Sequence, residues 1–198
     1  MLLFAIALFG LLITPGPGVL SLAGVGSAYG YREGWSYGAG LFVGSNGVML
    51  AAALGLAAVF LADERLRLLF TIISTAYLFY LALKIALAGS KIAFIAAQKP
   101  PGFVGGVLLQ VINPKAYAVG VFVFAGFPIW PSNLLVEIVL KFVILNAIWI
   151  PIHVLWLAAG VTIHRLDLPQ KTQRAINILM ALAMLLVVGL ALRTTLFV

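Results

Sequence analysis

The chain contains no cysteine, only five acidic residues, and no polar stretch of domain length. The first absence excludes disulfides, thiol nucleophiles and cysteine-held metals, and is silent about compartment. The scarcity of charge is more telling. Charged residues make up 9% of the 198 positions, whereas a soluble domain carries about 25%. Such a chain cannot face water on all sides. With 64% apolar residues and a mean hydropathy of +1.20 it reads as an integral membrane protein. Also missing is any apolar–polar alternation with a period of two, which argues against a transmembrane barrel. Helices remain as the way to satisfy the backbone inside a bilayer. The N-terminal apolar run lacks a basic n-region and leads into Thr14-Pro15-Gly16-Pro17. It therefore reads as a span and not as a cleavable signal peptide.

The few charges divide the chain. A span needs about 20 mostly apolar residues, and the punctuation leaves six: Leu2–Ala28, Ser36–Leu61, Leu66–Ala88, Phe103–Phe127, Leu134–Thr162 and Arg174–Phe197. The fold class expected is all-α, an integral membrane protein of six transmembrane helices forming a single domain over 1–198. Six spans put both termini on one side. Arg32, Lys91, Lys99, Arg165, Lys171 and Arg174 flank one face, with Lys84 able to snorkel to it, while Arg65, Arg67 and Arg193 flank the other. The positive-inside rule places the richer face in the cytoplasm and both termini outside it. The net charge of +7 is thereby explained as a topology signal. No basic cluster with interleaved aromatics is present, so no nucleic-acid partner is expected.

Two of the spans are interrupted. Asn113-Pro114-Lys115 lies in the middle of the fourth, with Lys115 about 12 residues, or roughly 18 Å of helix, from either end. A charge at that depth costs about 3 kcal/mol or more, and Pro114 releases the carbonyl of Gln110. In the first span, Pro15 and Pro17 free the carbonyls of Leu11 and Ile13, and Gly16 and Gly18 loosen the backbone. Ile13-Thr14-Pro15 and Ile112-Asn113-Pro114 are offset by 99 residues, half the chain, and Asn46 and Asn146 by 100. With three spans per half, the second half must enter the membrane from the opposite side. The expectation is an inverted-topology repeat with halves of about 1–99 and 100–198, in which matching Gly/Pro interruptions mark a transporter's central site.

The expected substrate contacts are Thr14, Pro15, Gly16 and Pro17 on one break, Asn113, Pro114 and Lys115 on the other, and Asn46 between them. Plainer roles exist for each. The first break can be a kink satisfied by the Thr14 hydroxyl, Lys115 a structural cation held by carbonyls, and Asn46, Asn146 and Gln110 amides that bond helix to helix. Against a purely structural lysine stands its lack of an obvious carboxylate. Glu137, the acidic residue inside a span, has Lys141 four residues on as an i,i+4 partner. The vacancy beside Lys115 suits an anionic group such as an amino acid's carboxylate, and the carbonyls freed at the other break suit its ammonium. His153, after Pro151, can relay protons but fits a packed, hydrogen-bonded role better. Trp35, Tyr37 and Trp130 fit aromatic belts. An intramembrane enzyme would need clustered His, Asp or Glu around a metal, or a base beside a serine. Neither constellation is present, so no catalytic residue, metal or cofactor is expected.

These residues carry a resemblance. Thr14-Pro15-Gly16-Pro17, Gly30-Tyr31-Arg32-Glu33-Gly34, Ala76-Tyr77-Leu78-Phe79-Tyr80-Leu81, Asn113-Pro114-Lys115-Ala116, and Arg174 and Asn177 with Gly189 recur in order. In this the chain resembles the LysE/RhtB family of bacterial amino-acid exporters over nearly its whole length. The likeness implies a secondary transporter of the bacterial inner membrane, exporting amino acids or related small metabolites in exchange for protons. Two departures stand out. Many members have Asn where this chain has Gly18, and some carry an acidic residue where it has Ser45. Their loss removes a candidate proton carrier and favours a narrower or more apolar substrate, such as a neutral amino acid. The alternatives are a non-transporting scaffold or assembly factor, or a passive channel. Gly105-Gly106 and Gly120 would also allow packing between chains, as in a homodimer.

Overall fold

The computed structural model describes residues 1–56, 63–86, 99–125, 128–166 and 168–196. Among these there is no strand. The helices are α1 (Leu2–Ile13), α2 (Pro17–Ala53), α3 (Glu64–Ala86), α4 (Gly102–Ile112), α5 (Pro114–Ala125), α6 (Leu134–Arg165) and α7 (Gln170–Leu196). The expected span ends at Leu61, Ala88, Phe127 and Phe197 and the loop residue Lys91 lie outside the described residues, as do the side chains of Arg67, Lys84 and Arg193.

Both expected breaks are present, and proline chemistry accounts for each. Helix α1 stops at Ile13; Gly16 is extended (φ −143°, ψ 178°) and Pro17 opens α2 at its first position, where a missing N–H costs nothing. The axes bend by 51°. Helix α4 stops at Ile112, and Asn113 is extended (φ −82°, ψ 108°), as the residue before a proline must be. Pro114 then opens α5, bent by 63° from α4.

The first two spans meet differently from expectation. A loop was expected around Gly30–Gly34, yet helical hydrogen bonding runs on through α2 and a single residue turns the chain. Gly30 has φ 79° and ψ −169°, a conformation open to glycine alone at little cost. The Tyr37 hydroxyl donates to Ser21 Oγ at 3.0 Å, and Gly38 lies against the Leu22 side chain. These pairs flank Gly30 evenly, so the arms of α2 run antiparallel as a helical hairpin. Tyr37 is fully buried between them and is a core residue, not part of an aromatic belt. Trp35 and Trp130 are exposed.

Side-chain caps set other boundaries. Asp63 Oδ1 accepts from the N–H groups of Arg65 and Leu66, both at 2.9 Å, at the start of α3. Asn133 Oδ1 accepts from the Val136 N–H at 3.1 Å at the start of α6. Helix α7 begins at Gln170, ahead of the expected Arg174.

Packing relies on small residues. A methyl added at Gly40 would strike the Phe103 carbonyl, and one at Gly106 the Tyr37 carbonyl, so α4 touches the second arm of α2 backbone to backbone. Gly160 brings α6 equally close to the Ala23 carbonyl on the first arm. Gly106→Val should lower stability by about 1–3 kcal/mol, the usual cost of overpacking. Thermal unfolding in detergent reads this, with Gly47→Ala, which meets nothing within 4 Å, as the unaffected control.

One buried cluster joins the α2 hairpin to α3, α4 and α6 through Leu22, Tyr37, Leu81, Leu109 and Leu157; a second joins α1, α5 and α6 through Phe4, Leu8, Val123 and Leu145. Outside them large apolar side chains stand exposed on several helices, including Leu2, Val104, Leu134, Leu155 and Leu179. That is the outer surface a bilayer requires. Among the described residues, Leu134–Ile163 is by itself long and apolar enough to cross a membrane, with mean hydropathy 2.1, and each bent pair qualifies when taken together.

Candidate functional site

The two breaks face one another. Lys115, on the first turn of α5, extends its Nζ to donate to the Thr14 carbonyl at 2.7 Å. In an unbroken helix that carbonyl would accept from the Gly18 N–H; the Pro15–Pro17 interruption leaves it available. Gly16 makes the approach possible, since a methyl there would lie 3.0 Å from Lys115 Cδ and Nζ. Thr14 Oγ1 donates back to the Gly10 carbonyl at 2.7 Å, so the hydroxyl serves α1 locally.

The second break is held by side-chain amides. Asn113 Oδ1 accepts from the Lys115 backbone N–H at 3.1 Å. Asn113 Nδ2 donates to Gln110 Oε1 at 3.1 Å, and Gln110 Nε2 donates to Ser45 Oγ on α2. Gln110, Asn113 and Ser45 are all buried. This chain of bonds fixes the Lys115 backbone to the second arm of α2.

The third wall comes from α6. His153 Nδ1 lies 2.8 Å from the Trp149 carbonyl, and the two rings stack at 3.5 Å with 12° between their planes. Gly18 leaves the space in front of the histidine open: a methyl there would sit 3.5 Å from Gln110 Nε2 and 3.7 Å from His153 Nε2. Together these residues line a half-open cavity of about 60 Å³. On this measure one water needs about 10–15 Å³, so there is room for a few waters. Leu12, Met49, Val119, Leu145 and Trp149 complete its apolar side. Trp149 and His153 also line an apolar groove of about 280 Å³ between α2 and α6, so their stack is a wall common to both spaces.

Of the residues expected to contact substrate, Thr14, Gly16, Pro17, Asn113 and Lys115 line the cavity. Pro15 and Pro114 lie in the breaks but are not among the lining residues. Asn46 is placed elsewhere. Its Nδ2 donates to Asn146 Oδ1 at 3.2 Å and to the Phe42 carbonyl at 2.9 Å, while Asn146 Nδ2 donates to Asn46 Oδ1 at 2.9 Å and to the Phe142 carbonyl at 3.0 Å. Both amide groups are used up. Removing one partner strands the other, so Asn46→Leu should destabilise by about 0.6–1.7 kcal/mol, the range of such bonds in membranes. Adding Asn146→Leu should restore most of it, and unfolding midpoints of the single and double variants test the coupling.

Ser45, Gln110, Gly18 and His153 line the cavity without having been singled out as contacts. Gln110 carried the clearest signal, as the residue whose carbonyl Pro114 releases. Glu137 and Lys141 form the expected pair at 2.7 Å; Lys141 is buried, with its Nζ 5.9 Å from the Phe124 ring centre. Among the described residues no carboxylate forms an ion pair with Lys115.

A family model for the LysE type translocator matches residues 8–195, a stretch that contains both breaks and every cavity-lining residue. The chain belongs to the LysE type translocator family. No curated protein and no solved structure matches it. Membership makes this LysE translocator a membrane protein that moves small molecules across the bilayer.

Proposed function

We propose that this LysE translocator is a secondary active exporter of amino acids or related small metabolites across the bacterial inner membrane, driven by proton antiport. The observation that carries the reading is the Lys115 Nζ, reaching between two broken helices to the Thr14 carbonyl in a cavity without a carboxylate. An ammonium has three donors, and the carbonyl takes one. The N–H groups of Gly18 and Val19 open α2 beside it, with no intrahelical carbonyl to reach. A lysine together with a helix N-terminus is a site for a carboxylate.

The six-span, inverted-repeat architecture supports alternating access around this site. Asn46 and Asn146 stand 100 residues apart, and so do the carbonyls of Phe42 and Phe142 to which they donate. A reciprocal pair of equivalent residues is what a two-fold axis between the halves would produce. On one face Arg165 lies over the Tyr31 ring at 4.9 Å, bringing together two turns that the six-span topology assigns to the cytoplasm. Both termini then lie outside. Rocking one half against the other would expose the site to each side in turn.

The test is a change in what leaves the cell. Cells expressing the protein are challenged with toxic amino-acid analogues and dipeptides, and small metabolites in spent medium are measured without preselection. Resistance together with enrichment of one amino-acid class is the expected result. No change for any compound would favour a scaffold instead.

A further inference from the structure

The side-chain and freed-carbonyl acceptors of the central cavity are nearly all engaged, and the exception defines a second role. The Thr14 carbonyl accepts from Lys115, Gln110 Oε1 from Asn113, Asn113 Oδ1 from the Lys115 N–H, and Ser45 Oγ from Gln110. The Gly16 carbonyl accepts from the Leu20 N–H. His153 differs. A carbonyl can only accept, so the nitrogen beside the Trp149 carbonyl, Nδ1, carries the hydrogen. In the neutral ring Nε2 is then a bare lone pair. It faces the space that Gly18 leaves empty, on a side chain only 6% exposed, and has no hydrogen-bond partner among the described residues.

The groups around that lone pair are few. The arms of α2 present Gly18, Leu22, Phe42 and Ser45, α4 presents Gln110, α5 presents Lys115, and α6 presents Trp149. Among the described residues lining the cavity, Lys115 and His153 are thus the two that titrate as bases, and Lys115 is committed to the substrate's carboxylate. We infer that His153 Nε2 is where the substrate's ammonium and the counter-proton exclude one another. This assignment rests on the export reading above and names the residue that couples it. It also narrows the cargo to a zwitterion whose ammonium and carboxylate lie close together, as in an α-amino acid.

The exchange balances at one atom. Facing the cytoplasm, an ammonium N–H donates to unprotonated Nε2 while the carboxylate meets Lys115. Facing outward, a proton bonds to Nε2, the ammonium loses its acceptor and meets a like charge, and the zwitterion leaves. The empty protein returns and gives that proton to the cytoplasm. No electrons change hands, and one zwitterion out for one proton in moves one positive charge inward per cycle.

The test uses the purified full-length protein in liposomes, with an equimolar mixture of the twenty labelled proteinogenic amino acids as probe. Two rates are compared: uptake driven by a pH gradient, and counterflow against unlabelled mixture with no gradient. Glutamine keeps an acceptor and cannot titrate. His153→Gln should weaken counterflow but leave it measurable, while the ratio of gradient-driven uptake to counterflow falls at least tenfold. An unchanged ratio overturns the inference and leaves the export reading standing, as does counterflow lost in parallel with uptake from a folded variant. Wild-type protein that moves no amino acid in either mode ends this inference and restricts the export reading to other small metabolites. Should the variant not fold, wild type decides alone. Binding of the mixture must release protons to a pH dye, and release at no pH at which the protein stays folded overturns the assignment.

Discussion

Replacing Lys115 with methionine should cut export at least tenfold while leaving the protein in the membrane at its normal amount. The two halves of that result come from separate terms. The stability terms nearly cancel: losing a charge at mid-depth relieves a cost of about 3 kcal/mol, and stranding the Thr14 carbonyl adds about 1–3 kcal/mol. Methionine also keeps an unbranched stem where Lys115 Cδ lies against Gly16. Nothing offsets the functional term. A hydrogen bond from a charged donor contributes about 1.5–3 kcal/mol, or roughly 10- to 150-fold in binding, and no other described side chain in the cavity offers a fixed positive charge to a carboxylate. Export should fall at least tenfold by assay of the medium, with membrane abundance by immunoblot unchanged. A Lys115→Met protein exporting at the wild-type rate would end the claim that this lysine binds the cargo.

The backbone of the candidate site was legible in the sequence because proline acts locally. Pro15, Pro17 and Pro114 deny donors to carbonyls four residues back whatever surrounds them, and the breaks fall at Thr14–Gly16 and Asn113 accordingly. The Glu137–Lys141 pair was legible for the same reason, being set by helical spacing on one element. What was not legible depends on how each helix is rotated. A span apolar on every side carries no stripe that says which face turns inward. Asn46 and Ser45 are adjacent, and rotation alone sends one to Asn146 and the other to Gln110 and the cavity. Tyr37 resembled an interfacial aromatic and lies fully buried because the hairpin at Gly30 folds one arm of α2 onto the other. His153 became a cavity residue only through the approach of α6 to Gly18, a contact between elements far apart in the chain.

Restoring helix one should cost transport and not stability. In Pro15→Ala with Pro17→Ala, two amide donors return, and the carbonyls of Leu11 and Ile13 regain their partners. Each interior proline disfavours a continuous helix by about 3 kcal/mol, so the double change shifts that balance by several kcal/mol toward closing the break. Opposing it is the Lys115–Thr14 bond, whose charged donor is worth about 1.5–3 kcal/mol against about 0.5–1.5 for the neutral Gly18 N–H that would replace it. The prolines outweigh that difference. Once the helix closes, Thr14 turns its carbonyl into the backbone ladder, Lys115 loses its anchor, and the Gly18 and Val19 donors no longer open a helix at the cavity. Export should drop at least tenfold, while the unfolding midpoint in detergent stays level or rises. Transport and abundance falling by the same factor would instead mean that the 51° bend serves folding. Pro17→Ala alone should have the smaller effect, because at the first position of α2 its ring obstructs no established turn.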